Sequence, residues 1–157
     1  MRAITHIAAS TAAAAAAYPA AGVSGGLGVL LLGGFLDIDH IGHFISSGLP
    51  ARPSALFQSV FRNEEQLERR YSVRRGIPGN VLFPALHCVE MAVLMLSAGL
   101  LFGSGFLVWG AAGISLHLVM DLRSYPCSPG FFSMTWRLMN RERLLESWRG
   151  HRSEVRW

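Results

Sequence analysis

The sequence predicts an all-α integral membrane protein, a bundle of about four helices in two hairpins followed by an amphipathic C-terminal helix. Apolar residues make up 51% of the 157-residue chain and charged residues only 15%, unlike an ordinary soluble domain. Residues 7–36 and 76–122 are almost free of ionisable side chains, and the second interval is long enough to cross a hydrocarbon core of roughly 30 Å twice. Glycine-rich turns at Gly22 to Gly28 and at Gly103 to Gly105 divide the two intervals.

The first hairpin combines an alanine-rich helix with a leucine-rich one. We expect the first helix to run from about His6 to Tyr18, because alanine has the best helix propensity and Pro19 then interrupts the pattern. The second, LGVLLLGGFLDIDHIGHF, carries acidic and histidine residues at its end. A cleaved signal peptide is the competing interpretation of the N-terminus, but the run is based on alanine rather than leucine.

The second hairpin is predicted from about Val81 to Leu122, with its turn at Gly103 to Gly105. Between the hairpins lies a polar segment, residues 45–80, bounded by proline and glycine. Residues 1–122, including this loop, would form a membrane-embedded metal-binding domain. Residues 123–157, where arginines alternate with aromatic and leucine positions, would form a basic cytoplasmic tail on a membrane surface or on the protein itself.

Arginine placement predicts the orientation of the bundle. All fourteen basic residues are arginine, and all lie before the first hairpin, between the hairpins or after the second. The two turns carry no charge, so the positive-inside rule places the arginine-rich segments in the cytoplasm.

The remaining ionisable residues fall at the cytoplasmic end of every predicted helix. Asp39 and His43 are four residues apart, a spacing that shares one helical face, and His117 and Asp121 repeat it. Ionisable groups in membrane helices are rare and usually face an interior or a wet cavity. The joint placement predicts a metal site, with the candidate ligands His6, Asp37, Asp39, His40, His87, His117 and Asp121.

Imidazole and carboxylate together suit zinc, and also manganese or iron. A metal with an open position activates water, so hydrolysis is the natural chemistry. Asp37, Asp39 or Glu90 would take the proton from that water, and the sequence does not choose among them. Glu90, three residues after His87, could instead orient that histidine.

Three short motifs resemble a known family: THI at Thr5 to Ile7, GGFLDIDH at Gly33 to His40, and GISLHLVMD at Gly113 to Asp121. They are similar to the membrane-bound metal-dependent hydrolases of bacterial inner membranes, which look distantly related to zinc-dependent phospholipase C and single-strand-specific zinc nucleases. The resemblance implies a multi-pass inner-membrane protein with a metal site.

Position by position, the resemblance assigns ligand roles to His6, to Asp37, Asp39 and His40, and to His117 with Asp121. The chain departs from the family in its middle motif. FPALHCVEM stands there, with His87 as its only histidine, and Leu36 replaces the usual proline.

The expected function is hydrolysis of a phosphoester, with membrane lipids as partners and a phospholipid as one candidate substrate, because the site would lie at the interface near arginines. One alternative is a non-catalytic membrane protein held together by a structural metal or a polar network. Another is a transporter, although nothing ionisable continues towards the Gly103 turn. Nucleic-acid binding by residues 62–75 is disfavoured because three glutamates dilute their charge.

Overall fold

The computed structural model describes residues 3–39, 85–122 and 129–142, and these are helical or irregular, with no strand among them. The predicted all-α class is confirmed at this level. The polar loop at 45–80 and the end of the tail beyond residue 142 lie outside the described residues. The α-helices in these three ranges are α1 (Ala3–Gly34), α2 (Val89–Phe102), α3 (Gly105–Leu122) and α4 (Met134–Met139); short 3-10 turns span Leu36–Asp39 and Pro129–Phe132.

Helix α1 is a hairpin of two arms that reverses direction at Gly22. Gly22 has φ 62° and ψ −170°, a conformation that only glycine adopts without strain. The arms then run side by side: a Cβ placed on Gly34 would lie 3.3 Å from the Cα of Ile7. The first arm continues through Pro19, so the reversal occurs at the glycine and not at the proline.

The second hairpin joins α2 to α3. Gly103 is left-handed, with φ 65° and ψ 28°, and its N–H bonds the carbonyl of Gly99. The amide of Ser104 donates to the same carbonyl at 2.8 Å, which ends α2 as glycine C-caps commonly do. The turn therefore lies where the sequence predicts it.

The start of α2 differs from the prediction of a helix from about Val81. Cys88 is extended, with φ −145° and ψ 150°, so the helix begins at Val89. His87 consequently lies in an irregular segment before the helix, and the i, i+3 rule does not place it on one face with Glu90.

Glycines bring the second arm of α1 against α3. A Cβ on Gly113 would lie 2.7 Å from the carbonyl oxygen of Val29 and 3.0 Å from the amide of Gly33. Small residues at such crossings allow two backbones to approach, as in membrane helix pairs. This close approach sets the distance between the ends of α1 and α3.

Apolar side chains cover the outside of the bundle while several polar ones are buried inside. Leu100, Leu101 and Phe102, at the end of α2, are exposed, as are Val93 and Leu94 further up the helix. The buried polar and charged residues are His6, Ser10, His87, His117, Asp121 and Arg137.

Within the described part of the chain, two stretches, Ile4–Gly34 and Gly105–Leu122, are long and apolar enough to cross a membrane by length and composition. The reversal at Gly22 shortens the first stretch. Its second arm, residues 23–34, extends only about 18 Å at 1.5 Å per residue, less than a hydrocarbon core of roughly 30 Å.

The described part of the tail, residues 129–142, packs on the bundle. Phe132 is buried in one apolar cluster with Leu36, Ile114 and Leu118. Helix α4 is a short element of six residues. Its side chains approach the end of the bundle where the ionisable residues lie.

Candidate metal centre

Four potential ligand atoms from different parts of the chain converge at one end of the bundle. They belong to Asp37 in the 3-10 turn after α1, His87 before α2, and His117 and Asp121 in the last turns of α3. One donor atom from each lies within 4.8 Å of all the others. The sequence names all four residues as ligand candidates, and the structure brings them together.

The spacing of these atoms fits the first coordination shell of a small divalent cation. The Nε2 atom of His87 lies 3.0 Å from that of His117, 3.2 Å from Asp37 Oδ1 and 3.7 Å from Asp121 Oδ2. The Nε2 atom of His117 lies 3.4 Å from Asp37 Oδ1 and 3.3 Å from Asp121 Oδ2. Ligands about 2.1 Å from a tetrahedral zinc ion would be separated by about 3.4 Å, and these five distances lie within about 0.4 Å of that value. Every pair in the group lies within 4.8 Å.

His117 is held with one nitrogen directed at the centre. Its Nδ1 atom lies 2.7 Å from the carbonyl oxygen of Gly33. Because a carbonyl only accepts, Nδ1 carries the proton, so a neutral His117 ring would have its lone pair at Nε2. Metal-ligating histidines are oriented by such contacts on the other ring nitrogen.

His6 lies beside this group. Its ring stacks on that of His117, with centroids 3.8 Å apart, and its Nε2 atom is 3.1 Å from Asp121 Oδ1. Asp121 thus has one oxygen near His6 and the other near His117. His6 therefore adjoins the centre through the His117 ring and the Asp121 carboxylate.

Three of the four donor residues are buried, and Asp37 is partly exposed. The side chains of His87, His117 and Asp121 are at most 2% exposed, whereas that of Asp37 is 16% exposed. The group contains two carboxylates and is mostly buried. Buried negative charge is costly unless positive charge lies beside it. A metal ion or shared protons would supply it.

The other candidates from the sequence are not placed in this group. Asp39 ends the 3-10 turn, but its side chain lies outside the described residues, as do His40 and His43. Glu90, named as a candidate proton acceptor, binds the tail instead. Its Oε1 accepts hydrogen bonds from the Ser133 hydroxyl at 2.6 Å and the Thr135 amide at 3.0 Å.

Cys88 is buried next to His87 and is not one of the four donor residues. Its thiol is buried and donates to the carbonyl of Ala85 at 3.3 Å. Burial raises the pKa of the Cys88 thiol above its ordinary value, which favours the neutral form. A thiol that stays protonated is a poor metal ligand.

Arg137 is a residue near the centre that the sequence does not single out. It is fully buried, and its Nη2 donates to the backbone carbonyl of His87 at 3.4 Å. In the sequence it is one of several tail arginines between aromatic and leucine positions. The same pattern is typical of a helix on a membrane surface, so the sequence does not predict the contact between Arg137 and the backbone of His87.

No protein-family model matches the chain, and no curated protein or solved structure matches it either.

Proposed function

We propose that this chain is a multi-pass membrane protein that binds a divalent metal at one end of its bundle and uses it to hydrolyse a phosphoester. The observation that carries the proposal is the near-tetrahedral spacing of the donor atoms of Asp37, His87, His117 and Asp121. These are the residue types that bind catalytic divalent metals.

The membrane part of the proposal is supported by the distribution of polarity. Large apolar side chains such as Leu101 and Phe102 face outwards, while imidazole and carboxylate groups face inwards. An exposed apolar surface of this kind suits lipid better than water. The two arms of α1 would form one embedded hairpin, and α2 with α3 would form the other. Both would lie in the inner membrane of a bacterium, with the metal end towards the cytoplasm.

Zinc is the metal that we propose, with manganese or iron as alternatives. Two imidazole nitrogens and two carboxylate oxygens suit each of these ions, and a four-coordinate arrangement favours zinc. The carboxylates of Asp37 and Asp121 would balance the double positive charge. The contact between His117 Nδ1 and the Gly33 carbonyl supports this, because it would leave Nε2 of a neutral ring available to the metal.

A bound divalent ion supplies Lewis acidity to a phosphoryl oxygen and lowers the pKa of water. The chain supplies orientation and proton transfer. His117 is fixed by the Gly33 carbonyl and Asp121 is held beside His6. Asp37 is the carboxylate on the accessible side, so it is best placed to accept a proton, with Asp39 as the sequence-based alternative.

A phospholipid is the substrate that the setting favours. Access past Asp37 would open at the end of the bundle, where lipid headgroups would lie. The arginine-rich segments on the same side suit anionic headgroups, although they also suit orientation alone.

A non-catalytic role is the second candidate, and the burial of the ligands favours it. Structural metal sites are closed, whereas catalytic ones keep an open position. His87, His117 and Asp121 are almost fully buried, and Asp37 is the one partly exposed member of the group. A metal or a shared proton between these side chains would stabilise the packing of the two hairpins against each other.

Activity assays separate the two roles. We would purify the chain in detergent, determine its bound metals, and assay phosphodiester and phosphomonoester substrates with and without added zinc or manganese. Hydrolysis should depend on metal and should be lost in His117→Ala but not in His151→Ala, a tail histidine outside the predicted ligand set. Metal bound by the folded protein without metal-dependent turnover would favour the structural role.

A further inference from the structure

The tail segment 129–142 is bonded to the chain beside the candidate metal centre through two charged side chains that the proposed hydrolysis does not use, Glu90 of α2 and Arg137 of α4. Glu90, in the first turn of α2, accepts three hydrogen bonds from the start of α4. Ser133 donates through its hydroxyl, and Met134 and Thr135 through their amides at 3.0 Å. A carboxylate that accepts backbone N–H groups at a helix start satisfies donors that would otherwise lack partners.

Arg137 makes the second contact, one turn further along α4. Its guanidinium is fully buried, donates to the backbone carbonyl of His87 and lies 5.4 Å from the centre of the Phe131 ring. His87 has no helix of its own to fix its backbone, because α2 begins two residues later. The backbone of this ligand is thus bonded directly by the tail.

We propose that Glu90 and Arg137 form a clasp that positions His87 as a metal ligand, so that metal affinity depends on the docked tail. Both are positioning residues, since neither contributes an atom to the group of four donors. The inference rests on the proposed metal site and adds an element that bonds the backbone of one of its ligands.

The location of each ligand explains why His87 needs such support. His117 and Asp121 lie on one face of α3, and His117 is also fixed by Gly33. His87 lies in irregular backbone, where a shift of about 1 Å would break the near-tetrahedral spacing. Outer contacts that orient a ligand typically contribute about 10–100-fold to metal affinity.

The test measures cobalt binding, because Co²⁺ reports coordination by its visible absorption. The variants are Glu90→Gln, which keeps the shape of the side chain but removes its charge, and Arg137→Gln. Arg141→Gln is the matched control, an exposed arginine on the next turn of the tail. All variants also carry Cys127→Ser, which leaves Cys88 as the one cysteine of the chain. The rate at which maleimide labels the metal-free protein then reports the exposure of Cys88, which is buried in the parent.

We expect Glu90→Gln and Arg137→Gln to weaken Co²⁺ binding by about 10–100-fold, to alter its absorption bands and to speed labelling of Cys88. Arg141→Gln should resemble the parent in all three measurements. If Arg137→Gln fails to fold, Glu90→Gln alone decides the outcome. Parent-like affinity and absorption in the folded clasp variants would overturn the clasp while leaving the metal site intact, whereas a parent chain that binds no Co²⁺ would overturn both proposals.

Discussion

The Nδ1 atom of His117 donates a hydrogen bond across 2.7 Å to the carbonyl oxygen of Gly33. This contact joins α3 to the second arm of α1 and turns the other ring nitrogen towards three further donor atoms. It exists because glycine at positions 33 and 113 lets the two backbones meet. The packing of the bundle and the geometry of the metal centre are therefore linked, and both can be tested.

Gly113→Val should damage the centre through packing alone. A side chain at this position would meet the carbonyl of Val29 and separate α1 from α3. Overpacking of this kind costs typically about 1–3 kcal/mol, so the unfolding temperature in detergent should fall, and Co²⁺ affinity should fall with it. Ala112→Val, at an exposed position on the same helix, is the control. Equal behaviour of the two variants would show that the close crossing is unimportant.

Asp121→Asn should remove a ligand with almost no change of shape. The asparagine lacks the negative charge that faces His117 and His6. Loss of a contact that only orients a ligand lowers metal affinity by roughly tenfold or more, so we expect loss of a ligand to lower it by at least as much. Isothermal titration with zinc measures the change. Glu142→Gln, which removes an exposed carboxylate near the described end of the tail, should bind as the parent does. Tight binding by Asp121→Asn would argue that the carboxylate only hydrogen-bonds.

Metal affinity should decrease as the pH falls. Imidazole and carboxylate ligands must be deprotonated to bind, so protons compete with the metal and are released when it binds. Titrations with Co²⁺ at pH 7.5 and at about pH 5.5 should show weaker binding in acid, and proton release should appear in two buffers of different ionisation enthalpy. An affinity independent of pH would contradict a site built on His87 and His117.

Labelling from outside the cell should reveal the orientation of the bundle. Ser104 lies in the turn between α2 and α3, whereas Thr135 lies at the end of α2 where Glu90 binds the tail. In a chain without its natural cysteines, an impermeant maleimide should reach Ser104→Cys in spheroplasts and Thr135→Cys only after lysis. The reverse pattern would place the metal end outside the cytoplasm.

The sequence was sufficient to predict the convergence at the centre. Ionisable residues at the ends of the predicted apolar helices, together with two uncharged turns, predict Asp37, His87, His117 and Asp121 at one end of the bundle, and the structure brings these four together. The i, i+4 spacing of His117 and Asp121 worked because both lie within a regular helix.

Other features depend on contacts that periodicity does not encode. Glu90 bonds residues 43 to 45 positions away, and no local pattern predicts such a partner. Arg137 belongs to a segment whose alternation suits a membrane surface as well as a protein groove. The extended conformation of Cys88 also moved the start of α2 to Val89, which separated His87 from the helix expected to carry it.

Metal analysis of the purified chain tests the central claim most directly. After equilibrium dialysis against zinc in detergent, the folded parent should retain stoichiometric metal, and His117→Ala and Asp121→Asn should lose it while Glu142→Gln retains it. A folded parent chain that neither carries nor takes up any divalent metal would contradict the account, and would leave the four converging side chains as a proton-sharing network that joins the helices.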